Sequence, residues 1–209
     1  MALYRRLLAG QSDHSVTIAS VGFLTNLAAL LDSGADDFSP LSGRELVAKK
    51  VKLVSVMAGN ISFEDGRDIF PEYNVRRDIA SAKKFFSECP VPVVVSPFEL
   101  GLEICYPASE IEANLGFGTP NPVVEAYKAY MPMPYDRTTW DLTSVIYAVE
   151  GNEWFTSYST GTVSVDDNGL SRFVPSQDGL HFVLRVAPES RRDFLRHLVE
   201  LTDSRFWNM

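Results

Sequence analysis

The run Val51-Lys52-Leu53-Val54-Ser55-Val56-Met57 decides the fold. It is apolar almost throughout, whereas a strand with one wet face alternates every second residue, so it reads as a strand covered on both sides. Upstream, residues 16–21 (Val-Thr-Ile-Ala-Ser-Val) form a short β-rich run that ends at Gly22. A helix-compatible segment follows over residues 24–31, with Thr25 or Asn26 placed to cap it, and the turn Gly34-Ala35-Asp36-Asp37 closes it. Downstream, residues 80–87 are helical in pattern and Val91-Pro92-Val93-Val94-Val95 is another strand. Strand, helix, strand, helix and strand with short connections imply right-handed crossovers. The expected class is therefore α/β: an open, mainly parallel sheet of Rossmann-like βαβ units.

The flanks add detail without changing that class. The first ten residues are amphipathic and read as a helix. Asn121-Pro122 opens a helix with Pro at its first position, and another runs over residues 139–149. From Tyr158 the pattern becomes alternating: Thr162-Val163-Ser164-Val165, the turn Asp166-Asp167-Asn168-Gly169, then an apolar run over residues 180–186. Asn-Gly between such runs signals a hairpin, with its second arm at or beyond the turn. Residues 188–202 form a closing amphipathic helix. No low-complexity linker and no internal repeat interrupts the chain, so its 209 residues are read as one domain.

Composition excludes several classes. The chain is 45% hydrophobic and 11% aromatic, which argues against disorder. No stretch reaches the roughly 18 apolar residues of a spanning helix, so no membrane partner is expected. A net charge of −8 repels phosphate backbones, which speaks against a general nucleic-acid binder. The opening segment lacks an export signal, so a cytoplasmic site is expected if Met1 is the true start and export if a signal precedes it. Cys89 and Cys105 show no metal spacing and read as unpaired structural thiols. His14, His181 and His197 have no partner at useful spacing and read as structural or surface residues.

In an open parallel sheet, ligands bind outside the carboxyl ends of the strands. That rule selects three places: Val21-Gly22, Met57-Ala58-Gly59-Asn60, and residues 96–99. The loop between Gly59 and Asn74 carries Glu64, Asp65, Asp68 and Glu72, and a loop this long in a compact α/β unit is usually functional or disordered.

At those places the chain resembles the inosine/uridine-preferring nucleoside hydrolases. Val21-Gly22-Phe23-Leu24-Thr25-Asn26-Leu27-Ala28 is similar to the family's Gly-x-Leu-Thr-Asn-apolar-Ala turn, and Val56-Met57-Ala58-Gly59 to its Met-Gly-Gly turn. Pro71-Glu72-Tyr73-Asn74-Val75 resembles its Glu-Phe-Asn motif, with Asp78-Ile79-Ala80-Ser81-Ala82 at the spacing of the Asp-Pro-Glu-Ala-Ala that follows. Trp140-Asp141-Leu142 falls where the family has an Asp at the start of a late helix.

The resemblance implies cleavage of the N-glycosidic bond of ribonucleosides by metal-activated water. Glu72 and Asn74 would hold the ribose hydroxyls, a carboxylate and an amide being able to accept from and donate to a diol. Met57 would line the sugar. Asp141 and the Val21 carbonyl would be calcium ligands, oxygen donors of the kind calcium takes. Trp140 stands where many members have a histidine acting as general acid. It resembles the purine-preferring branch, in which an indole stacks on the base and promotes its departure. The partner expected is a small ribonucleoside, with a homo-oligomer possible for the family.

One family feature has no counterpart. The Asp-x-Asp-x-Gly-x-Asp-Asp motif that binds calcium and activates the water does not occur. Asp36-Asp37 and Asp166-Asp167 stand in the wrong context. The sequence is therefore read as N-terminally truncated relative to the family, with little or no turnover expected. The alternative is a catalytically inactive module that binds ribose or a nucleoside.

Overall fold

The computed structural model describes residues 1–62, 69–111, 113, 121–157 and 160–203. The chain opens with α1 (Ala2–Ala9), β1 (Val16–Ser20), α2 (Thr25–Asp32), α3 (Gly43–Lys50) and β2 (Val51–Met57). Next come β3 (Ile61–Ser62), α4 (Tyr73–Arg76), α5 (Ile79–Glu88), β4 (Val93–Ser96) and α6 (Phe98–Glu103). Then β5 (Cys105–Tyr106), α7 (Ala108–Glu110), α8 (Pro122–Tyr130), β6 (Arg137–Thr138) and α9 (Trp140–Glu150) follow. The chain finishes with β7 (Thr156–Ser157), β8 (Gly161–Val165), β9 (Ser171–Pro175), β10 (His181–Arg185), a 3-10 turn and α10 (Arg191–Thr202).

The main sheet has the order β1-β2-β4-β10-β8-β9-β3, with β7 pairing separately on β10. The β1, β2, β4 and β10 strands are mutually parallel, in registers such as Val16↔Val51, Val54↔Val93 and Phe182↔Val94. This is the parallel α/β sheet the three apolar runs imply. β8 and β9 form the hairpin at once across Asp166–Gly169, where Gly169 takes a φ of +82°. The later run, β10, instead enters the centre of the sheet, antiparallel to β8.

Two cores form, one on each face. Val93 and Val95 point into a core built with α2, α3 and α5, and Val94 points into the other, with α6, α9 and α10. Strand side chains alternate between faces, so consecutive valines can feed both. The start of α3 is marked in the sequence by a capping box: Ser42 accepts from the Glu45 amide while Glu45 reaches back to the Ser42 amide. The expected Thr25 or Asn26 cap of α2 does not form, because Leu24 takes the N-cap position. The Thr25 hydroxyl donates 2.5 Å to Asp78, tying α2 to the start of α5.

Candidate functional site

The carboxyl ends of β2 and β4 build the site. After Met57 the chain turns through Gly59, whose φ of +84° is a left-handed conformation that glycine adopts without strain. The Gly59 carbonyl accepts from the Phe98 amide at 2.9 Å, so the turn after β2 is bonded to the turn after β4.

Glu72 reaches the same turn from the loop before α4. It is 3% exposed. Its carboxylate accepts from the Gly59 amide at 3.2 Å and from the Asn74 amide at 3.1 Å, so it caps α4 and pins the Gly59 turn together. Asn74 is half-buried, and its side-chain amide donates to the Met57 carbonyl at 3.0 Å and faces the Met57 sulfur at 3.2 Å. Met57, Glu72 and Asn74 are thus one bonded group. A second carboxylate supports it: Glu99 accepts from the Asn60 side chain at 3.1 Å and from the Ile61 amide at 3.0 Å.

Trp140 and Asp141 approach the edge from the other face. The start of α9 is fixed because Thr139 donates through its hydroxyl to the Ile104 carbonyl at 2.7 Å. Further along, Ser55 donates to the Ser144 carbonyl at 2.8 Å and the hydroxyls of Ser96 and Thr143 are hydrogen-bonded, so α9 docks on β2 and β4 through buried small residues. The Trp140 indole donates to the Phe98 carbonyl at 3.0 Å and stacks on the Phe98 ring at 5.2 Å and 24°. Phe98 therefore bridges the two halves: its amide meets Gly59 and its ring and carbonyl meet Trp140.

Beside Trp140 opens a cleft of about 250 Å³ lined by Tyr106, Tyr127, Arg137, Trp140 and Asp141. Asp141 stands in the first turn of α9. Partial burial pushes its carboxyl above the usual carboxylate value, and the nearby Arg137 charge opposes that shift. The Arg137 guanidinium lies over Tyr130 at 4.5 Å and over Trp140 at 5.5 Å from the ring centroids. The indole is therefore already in contact with both a ring and a cation, and is not a bare stacking face.

Val21 follows β1 directly and is 41% exposed at the carboxyl end of that strand. Among the described residues, neither it nor Asp141 is hydrogen-bonded to the Glu72–Asn74 group. Glu64, Asp65 and Asp68 lie outside the described residues. Asp36 is taken by structure: it accepts from Arg5 at 2.7 Å, and that contact holds its carboxyl below the usual range. Asp167 pairs with Lys83.

Two expected structural residues fit that role. The His181 ring accepts from the Val163 amide at 2.7 Å, and burial pushes its pKa down to about 4. Cys89 is buried and its thiol is pushed up to about 11. The sequence reading overlooked Arg137, Phe98 and Glu99 as individual residues. Phe98 and Glu99 lay inside the third carboxyl-end segment, but nothing in the local pattern marked Arg137.

Calcium takes six to eight oxygen ligands, usually several of them carboxylates. Among the described residues no group of three or more His, Cys, Asp or Glu could hold a metal, and Asp141 is the only carboxylate in its cleft. These residues alone do not fit calcium.

No family model matches this sequence, and no curated protein matches it. Solved structures do. A plant nucleoside hydrolase aligns with 18% identity and a TM-score of 0.67, covering 97% of this chain and 65% of that one. A purine-preferring ribonucleoside hydrolase from Gardnerella vaginalis aligns with 14% identity and a TM-score of 0.67, covering 95% and 65%. An inosine-guanosine nucleoside hydrolase gives 14% identity and a TM-score of 0.69, covering 96% and 66%. This chain therefore has the fold of nucleoside hydrolases and spans about two-thirds of their length.

Proposed function

We propose that this chain is a nucleoside hydrolase-like domain whose sheet edge takes a purine ribonucleoside, in the chemistry of N-glycosidic bond cleavage. The observation that carries this is the bonded group Met57–Glu72–Asn74 at the carboxyl end of β2, joined through Gly59 and Phe98 to Trp140. It stands where an open parallel sheet binds ligands, in a fold that those hydrolases share. Shared fold alone would not identify a function. The residue types at this edge supply the rest.

In this reading Asn74, the more accessible of the pair, meets a ribose hydroxyl. Glu72 fixes the turn that aims Asn74, and each of its oxygens keeps further acceptor capacity for the diol. The side chain of Met57 lines the sugar. Trp140, held against Phe98, forms the aromatic wall on the side of the base. Asp141 and the Val21 carbonyl remain candidates for a calcium shell that needs more oxygens than the described residues provide. Metal activation of a water, which the resemblance implies, would need that shell to be completed. The described residues offer no carboxylate set to complete that chemistry, so binding is expected to exceed turnover for this chain by itself.

Titration calorimetry with inosine and with ribose, each with and without calcium, paired with a turnover assay, tests the proposal. Both ligands are expected to bind, with slow or undetectable hydrolysis of inosine. Absence of binding by either ligand would overturn the ribose site. Brisk calcium-dependent hydrolysis would show that the missing carboxylates have replacements, with Asp37 and Asp65 the first to test, since Asp36 is held by Arg5.

A further inference from the structure

Among the described residues Arg137 is the one cation lining the cleft at the start of α9, and the proposed ribose site does not use it. It lies in β6, paired with Tyr106 across the small β5–β6 sheet, so its backbone is fixed. Its side chain is half-buried and lies over two aromatic rings, Tyr130 and Trp140. Among the described residues its guanidinium makes no hydrogen bond and no ion pair. Asp141 is near enough for the Arg137 charge to act on it, yet no ion pair closes between them.

This arrangement matters because of guanidinium geometry. Contact with the ring clouds engages the charge of the group but, among the described residues, leaves its N–H donors unpaired, in a fork that matches the oxygens of a phosphate. The two ring contacts also restrain the side chain before any ligand arrives, which lowers the ordering cost of binding. The cleft, at about 250 Å³, falls below the roughly 300–1,000 Å³ of sites that enclose a whole drug-sized ligand. It suits one end of a molecule. Asp141 and Tyr127 line the same space, residue types that can pair with sugar hydroxyls.

We propose that this cleft is a phosphate subsite, with Arg137 as its anchor, and that the chain prefers phosphorylated ribosides to the free sugar or nucleoside. The inference rests on the ribose reading for the sugar, but not for the phosphate. Arg137 binds the phosphate monoester through paired N–H donors, and no calcium is required.

The test is titration of the full chain in excess chelator with ribose, ribose 5-phosphate and inorganic phosphate. Ribose 5-phosphate is expected to bind about tenfold or more tighter than ribose, the effect of one charge-assisted pair. Arg137→Gln should erase that preference while leaving ribose affinity and the circular dichroism spectrum unchanged, and Arg137→Lys should restore part of it. Rising salt should weaken the phosphorylated ligand only. Equal affinity for ribose and ribose 5-phosphate in the unmodified chain would overturn the inference and leave the ribose reading standing. Binding of inorganic phosphate without any binding of ribose would do the reverse. A preference that survives Arg137→Gln would also overturn it.

Discussion

The Glu72 corner and the Arg137 cleft lie along one sheet edge, but they spend their polar atoms differently. At Glu72 a carboxylate that is 3% exposed is committed to backbone amides, and Asn74 is committed to the Met57 carbonyl. At Arg137 a cation and the carboxylate of Asp141 line the same space without closing on each other. The first corner is a structural joint with residual binding capacity. The second is a site whose charged groups await a ligand. Charge alone does not distinguish them, since both hold an acid. What distinguishes them is which hydrogen bonds are already made.

The largest expected effect bears on the residue that joins the two regions. Trp140→Ala removes the Phe98 stack, the indole bond to the Phe98 carbonyl, and the ring that fills the space beside Gly101. A loss of about 3 kcal/mol in urea unfolding is expected, at the lower end for a large aromatic because the ring is only half-buried. A change near zero would mean that the corners are not mechanically joined through Phe98.

Glu72→Ala comes next. It leaves the Gly59 and Asn74 amides without their acceptor in a buried turn, which should cost about 2 kcal/mol. Glu72→Gln, which keeps the shape and one acceptor oxygen, should cost less. Full stability in Glu72→Ala would make this carboxylate a free ligand group, like Asp141, and dissolve the contrast.

Asn74→Ala should lose about 1 kcal/mol, the worth of one hydrogen bond to the Met57 carbonyl. Its larger signature should be weaker binding of ribose and inosine alike in calorimetry. Unchanged affinity for both would leave Asn74 a joint and nothing more.

The smallest effect has the opposite sign. The Asp141 carboxyl holds its proton more tightly in the fold than in the unfolded chain, chiefly through partial burial. The folded state then binds more protons just above the ordinary carboxylate range, so its stability falls as pH rises through that range. Asp141→Asn should therefore raise the urea midpoint slightly near pH 7 and leave it unchanged near pH 3, below the ordinary carboxyl pKa. A lowered midpoint near pH 7 would mean that Asp141 is held by a favourable partner, as Glu72 is.

The parallel sheet was legible in the chain because burial on both faces forces a nearly continuous apolar run. Residues 51–57 and 91–95 could satisfy that in few other ways. The helix over residues 139–149 and the hairpin at Asp166–Gly169 followed from equally local rules. The carboxyl-end rule also places Met57, Gly59 and residues 96–99 on one edge from sequence alone.

Other features depended on contacts between distant segments. That Glu72 would be buried and committed to Gly59 depends on a contact between residues thirteen apart in the chain. The entry of residues 181–185 between β4 and β8 depends on which strand edge is free once the hairpin has formed. Arg137 was invisible for the same reason: in sequence it is one surface-type residue beside Asp136 and Thr138. Only the packing of β6 against β5, and of α8 and α9 around it, sets its guanidinium over Tyr130 and Trp140. Local periodicity fixes which face of an element is apolar, because that depends on neighbours a few residues away. Whether a charged group is spent or available depends on partners brought from elsewhere in the chain, and that was decided by the tertiary structure alone.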